Sequence, residues 1–98
     1  MVAYPIRMVY MPVESVDMPV QVLVSVSKRH FKRAVKRNRV KRQVREAYRL
    51  HKTLLTDKLE ATGQKVVLAF IWLDNELHSS AVVEEKVKKL LQLTAERL

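Results

Sequence analysis

Residues 20–27 read VQVLVSVS and residues 40–55 read VKRQVREAYRLHKTLL, and the change of period between them decides the fold. In the first stretch Val20, Val22, Val24 and Val26 alternate with Gln21, Leu23, Ser25 and Ser27. That is the two-residue period of a strand whose β-branched face packs on a core. In the second, Val40, Val44, Ala47, Tyr48, His51, Leu54 and Leu55 fall on one helical stripe, about 100° wide, that asks to be buried. The opposite face carries Asn38, Lys41, Arg42, Arg45, Arg49 and Lys52. Upstream, Phe31, Ala34 and Val35 are out of phase with the stripe while Arg33 and Arg37 lie on it, so the helix is expected to begin between Ala34 and Asn38. It runs on to Ala61 or breaks at Thr56, where Asp57 and Glu60 have capping-box spacing. Gly63, the only glycine, ends it in either case.

Working outward, residues 4–13 are apolar apart from Arg7, and Pro5 and Pro12 near their ends suit an edge strand. Val16, Asp17, Met18 and Pro19 read as a turn. Residues 65–73 open with Lys65 and are then apolar without interruption, the pattern of a strand covered on both faces. Asp74 and Asn75 turn the chain, and Ser79 or Ser80 caps a last helix with Val83, Val87, Leu90, Leu91 and Leu98 on its buried side. Neither a repeat nor an interdomain linker interrupts this order. The expectation is one α+β domain over residues 1–98, a mostly antiparallel sheet of three to four strands with two helices packed on it.

Ninety-eight residues, 48% of them hydrophobic, suffice for one modest core. With no cysteine, disulfides, thiolate metal sites and a thiol nucleophile are excluded. No apolar run reaches the ~18 residues of a spanning helix and residues 1–13 do not read as a secretory signal, so a soluble, cytoplasmic protein that is monomeric when free is expected. Nineteen basic residues against ten acidic ones give a formal charge of +9. Its distribution says more: residues 28–52 hold twelve of the basic residues and a single acid, Glu46. Such crowding raises self-repulsion in the free protein, and a polyanionic partner is the usual compensation.

A solvated helix face normally mixes signs, because Glu and Lys four apart stabilise a helix and like charges at that spacing destabilise it. Here Lys41, Arg45 and Arg49 follow one another at that spacing, with Asn38 and Arg42 continuing the ridge. The guanidinium fork of arginine binds phosphate oxygens in pairs and stacks on bases, which favours nucleic acid over an acidic protein. A membrane surface would need large apolar side chains opposite the charges, whereas Val40, Val44 and Ala47 are small. A DNA regulator would need a positioning helix before the basic one, where this chain has a strand. His30, His51 and His78 share no metal spacing, and His51, on the apolar stripe, reads as a hydrogen-bonded packing histidine. Phe31 reads equally as a base-stacking ring or as a plug where strand meets helix. Glu84 and Glu85 fall in the expected first turn of the last helix, where its dipole favours acids. Asp74 and Glu76 read as a solvated turn sooner than as ligands of a hydrated Mg²⁺. Nothing assembles a nucleophile, a base and an oxyanion site.

Arg37 to Glu46 reads RNRVKRQVRE, and this run resembles the RNR signature of the bacterial ribonuclease P protein. Val26, Ser27, Lys28 and Arg29, followed by Ala34 and Val35, resemble that family's approach to the signature. The detailed match covers residues 26–49, and the order of elements agrees over nearly the whole chain. The resemblance implies a basic helix that grips a catalytic RNA subunit, a left-handed β-α-β crossover, and a cleft between the sheet and an N-terminal helix that receives the leader of precursor tRNA. Carried over by motif position, Arg37, Asn38, Arg39, Lys41, Arg42 and Arg45 would contact the RNA subunit, flanked by Lys28 and Arg49. Tyr4, Arg7, Tyr10 and Phe31 are the candidates for leader contact. It also implies that the chemistry belongs to the RNA, with Mg²⁺ bound mainly by that RNA and no protein-only metal site.

Two departures accompany the match. Where the family usually has a glycine before the Ala-Val pair, this chain has His30, Phe31, Lys32 and Arg33, so a differently shaped loop is expected. The family begins with a helix bearing paired phenylalanines, whereas residue 4 already reads as strand, so that helix is expected to be missing or truncated. The alternative function left open is a structural RNA-binding protein of the ribosomal kind, without processing activity.

Overall fold

The structure is a computed structural model that describes residues 1–14 and 20–98; the turn expected at Val16 to Pro19 lies outside the described residues. Four strands, β1 (Val2–Ala3), β2 (Ile6–Val13), β3 (Val20–Ser25) and β4 (Lys65–Trp72), form one sheet in the order β1-β2-β4-β3. Three helices, α1 (Ala34–His51), α2 (Thr53–Thr62) and α3 (Ser80–Arg97), complete the domain. The β1–β2 and β2–β4 pairings are antiparallel and the β3–β4 pairing is parallel, so the sheet is mixed and mostly antiparallel, as expected. Parallel neighbours need a crossover. Here α1 and α2 supply it, making the β-α-β unit whose left-handed sense the resemblance implies.

The strand expected over residues 4–13 begins at Ile6, because the chain turns at Tyr4 and Pro5, whose peptide bond is cis, and a further strand not expected from the sequence, β1, precedes the turn and pairs with Ile6 and Arg7. Beyond Met8 nothing pairs with that side of β2 among the described residues, which is the edge position that Pro12 tolerates. β3 keeps the expected alternation, with Val20 buried, Val22 and Val24 half-buried, and Gln21, Leu23 and Ser25 exposed.

The single long helix expected after residue 34 is divided at Lys52 and not at Thr56. Lys52 keeps helical dihedrals (φ −60°, ψ −28°), and its carbonyl accepts from both Leu55 and Thr56, at 3.0 and 2.9 Å. This shared acceptor tightens the joint and shifts the phase of α2, leaving Leu54 partly exposed while Leu55 and Leu59 are buried. Gly63 ends α2 in the left-handed conformation (φ 71°, ψ 13°) and its N–H bonds to the Leu59 carbonyl. Ser79 caps α3, its hydroxyl accepting from the Val82 N–H at 3.3 Å. The cap is where it was expected, so Glu84 and Glu85 fall beyond the first turn, which holds no acid.

All three helices lie in one core with one face of the sheet. Ile6, Met8, Val66, Leu68, Phe70 and Trp72 from the strands share it with Val40, Val44 and Ala47 of α1, Leu55 and Leu59 of α2, and Val83, Val87, Leu90 and Leu91 of α3. Thr94 is buried as well, its hydroxyl donating to the Leu90 carbonyl at 2.9 Å. β4 was expected to be covered on both faces, and this is corrected: Val67, Ala69 and Ile71 are only half-buried, since no described helix packs over them. In their register rows stand Arg7 and Ser25 beside Ile71, Val9 and Leu23 beside Ala69, and Met11 and Gln21 beside Val67. Val9, Met11 and Leu23 are 44%, 60% and 61% exposed, so the outer face of the sheet is an open apolar surface.

Candidate nucleic-acid interface

The basic residues of α1 stand on a helix held firmly from below. Val40, Val44 and Ala47 are buried, Tyr48 packs its ring against Phe70 at 6.4 Å, and burial pushes the Tyr48 hydroxyl above its usual pKa. His51, at the end of the stripe, bonds through Nε2 to Glu84 Oε1 at 2.8 Å, so α1 is pinned to α3 by a packing histidine. Glu84 is thereby an anchor between helices and not a partner of the α3 dipole.

Gln43 pins the same helix at its middle. It lies inside the basic run, but its side-chain amide donates to the His78 carbonyl and the Ser80 hydroxyl, each at 3.1 Å. The run from Leu73 to Ser79 beneath it is held by Asp74, which accepts from His78 Nε2 at 2.8 Å and from the backbone N–H groups of Asn75 and Glu76 at 2.7 and 3.3 Å. The bond from His78 holds the Asp74 carboxyl below the usual carboxylate range, against the opposing effect of desolvation. The carboxyl is therefore committed to the turn, and no group of three or more metal-ligating side chains stands together among the described residues.

Against this scaffold the candidate RNA-contacting residues fall into three groups. Asn38, Arg39, Arg42 and Arg45 are exposed on α1 and Lys41 is half-exposed. None of these four cations lies within ion-pair distance of a carboxylate among the described residues. Lys28 is exposed in the loop before α1 and is likewise without such a pair. Arg49 is partly neutralised: its Nε donates to Glu46 Oε2 at 3.0 Å, which pulls the Glu46 carboxyl below its usual range and raises the guanidinium further. Arg37 stands apart, half-buried, with Nη1 donating to the carbonyls of Phe31 and Lys32 at 2.7 and 2.9 Å. Its place on the apolar stripe, with Val40 and Val44, is the signal in the sequence that separates it from the exposed ridge.

The N-terminal end of α1 adds to the positive field. Arg33 at the N-cap offers no capping side chain and the first turn holds no acid, so the dipole and the ridge have the same sign there.

The leader-contact candidates separate onto two sides of the sheet. Arg7 is exposed on the outer face, and Tyr4 is exposed in the β1–β2 turn beside Asp74, where desolvation and then the carboxylate raise its hydroxyl pKa. Tyr10 shares the inner face with Leu68 and packs against the core, and Phe31 is a core residue only 5% exposed. Of the two readings of Phe31, the structure places it as the plug between β3 and α1. A ring so enclosed has no free face for a base.

A small α+β domain that displays a row of unneutralised cations on a rigid helix has the make-up of a polyanion-binding module. The chain belongs to the ribonuclease P family: the family model described as Ribonuclease P matches residues 3–94. Proteins named "Ribonuclease P protein component" from two strains of Porphyromonas gingivalis are each 47% identical to it over 91 residues, covering 92% of this chain and 66% of the relative. A protein of the same name from Chlorobaculum tepidum is 48% identical over 66 residues, which is 62% of this chain and 43% of that one. The chain thus spans 66% of the length of the P. gingivalis relatives. No solved structure matches it.

Proposed function

We propose that this chain acts as the protein component of ribonuclease P, with the ridge of α1 binding the ribonuclease P RNA and the outer face of the sheet receiving the 5′ leader of precursor tRNA. The single observation that carries the first half is the row Arg39, Lys41, Arg42 and Arg45, fixed on a packed helix with no carboxylate beside it among the described residues. A folded RNA offers such a row phosphates at comparable spacing, and each guanidinium that meets one releases condensed counterions. The family match and the names of the relatives point to the same partner.

For the leader, Val9, Met11 and Leu23 offer an apolar floor against which unpaired bases lie, and Arg7 offers a phosphate contact at its end. Tyr4 stands at the same end of the sheet, next to the start of β2. The hydrolysis is assigned to the RNA, with Mg²⁺ held mainly by RNA oxygens. The protein's share is electrostatic: cations placed where two polyanions meet lessen their repulsion, so less Mg²⁺ is needed to bring them together.

Reconstitution tests this directly. With its cognate RNA subunit, the protein should permit cleavage of precursor tRNA at a Mg²⁺ concentration at which the RNA alone is slow. An unchanged Mg²⁺ requirement would contradict the proposal. Selective recovery of ribosomal RNA from cells would favour a ribosomal structural role instead.

A further inference from the structure

We propose that Arg37, the first residue of the RNRVKRQVRE run, is a positioning residue and not a phosphate contact: it fixes the loop of residues 28–33 against α1 and so aligns the loop's cations with the ridge. The inference rests on the reading of that ridge as an RNA-binding surface.

Residue 37 gathers three successive carbonyls. Its Nη1 donates to Phe31 and Lys32 at 2.7 and 2.9 Å, and its backbone N–H bonds to Arg33 at 3.4 Å. Hydrogen bonds from a guanidinium are charge-assisted and roughly twice as strong as neutral ones. They also act where an ordinary cap is lacking, since Arg33 at the N-cap makes no side-chain bond to the first turn. The loop's other ties are the Ser27 carbonyl, accepting from His30 and Phe31 at 3.1 and 3.4 Å, the Ser27 hydroxyl, accepting from the Arg29 N–H at 3.1 Å, the His30–Asn75 bond at 2.7 Å and the buried Phe31 ring.

What the loop carries makes this tether consequential. Lys28, Arg29, Lys32 and Arg33 are all exposed, and they repel one another and the positive end of α1. Released from Arg37, they would spread into solvent, and RNA would then have to order them again on binding, at an entropic cost. Arg37 therefore works through its neighbours, whereas Arg39, Arg42 and Arg45 face solvent without such bonds.

The test compares binding of labelled ribonuclease P RNA by the wild type, Arg37→Ala, Arg37→Gln, Arg45→Ala, and a loop variant with Lys28, Arg29, Lys32 and Arg33 changed to Ala, alone and combined with Arg37→Ala, at salt concentrations from about 50 to 200 mM. Arg45→Ala should reduce the slope of log affinity against log salt by about 0.7 to 0.9, the signature of one lost phosphate contact. Arg37→Ala should weaken binding about tenfold with the slope nearly unchanged, because ordering and not ion release is lost. In the loop-variant background the same substitution should cost less than about twofold, since the residues it positions are gone. A merely structural residue would show no such coupling. Amide exchange at His30 and Phe31 should quicken in Arg37→Ala, and Arg37→Gln, which removes the charge with less loss of side-chain volume, repeats the slope measurement if the alanine variant folds poorly.

A slope reduced as much by Arg37→Ala as by Arg45→Ala, with the same loss in both backgrounds, would overturn the proposal and make Arg37 a direct contact. Unchanged amide exchange would overturn the tether. Salt-independent binding by the wild type would instead overturn the ridge reading itself, a different failure from either.

Discussion

Asp74 shows how a single carboxylate holds the ground beneath the ridge. It fixes the turn from Leu73 to Ser79 through His78 and two backbone N–H groups, and the His78 carbonyl in turn receives Gln43 of α1. Its pKa is depressed in the folded protein, so the sign of the linkage is set: the stabilisation is present above the unfolded-state value of about 3.9 and is lost as pH falls through the folded-state value. Thermal melts of wild type and Asp74→Asn should therefore differ at pH 7, and the gap should begin to close as pH falls below about 4. A gap that stays constant into that range would place the stabilisation elsewhere. The sequence could mark Asp74 as part of a turn but not as this anchor, because Gln43 reaches the His78 carbonyl and the Ser80 hydroxyl only through tertiary packing. Arg37 and Phe31 stand in a strongly basic run; the apolar stripe of α1 marks Arg37, whereas only burial decides that Phe31 is a plug and not a base-stacking ring.

At the scale of elements, the strict alternation of β3 and the apolar stripe of α1 were legible because period alone specifies which face is buried. The joint at Lys52 was not, since it contains neither proline nor glycine and its dihedrals remain helical; the phase shift accompanies the shared Lys52 carbonyl and lets α2 pack on α3. The bare outer face of the sheet was missed because an unbroken apolar run such as Val66 to Leu73 does not distinguish a strand buried on both sides from one with a hydrophobic binding face. Gly63 gives a clean test of the element boundary. A Cβ at this position would meet nothing within 4 Å, so Gly63→Ala isolates the conformational preference for φ 71° from any clash. Urea denaturation should show a loss of about 1 kcal/mol, with no change in RNA affinity beyond the loss of folded protein. A neutral or stabilising substitution would mean that α2 can end without the left-handed residue.

In the molecule as a whole, a small core on one side of a sheet holds two surfaces of different character in fixed relation. One is cationic and lies on α1, and the other is apolar with Arg7 at its margin and lies across β2, β4 and β3. No helix of the described residues is long and apolar enough to cross a membrane, so neither surface is part of a membrane-spanning helix. The excess charge visible in the sequence is concentrated in residues 28–52, and the fold leaves most of it without internal neutralisation among the described residues. The most direct measurement is the affinity of the protein for ribonuclease P RNA as salt is raised from 50 to 200 mM. If about six phosphates meet the ridge and its flanking loop, affinity should fall by ~10³ across that range; an affinity indifferent to salt would contradict the account at its root.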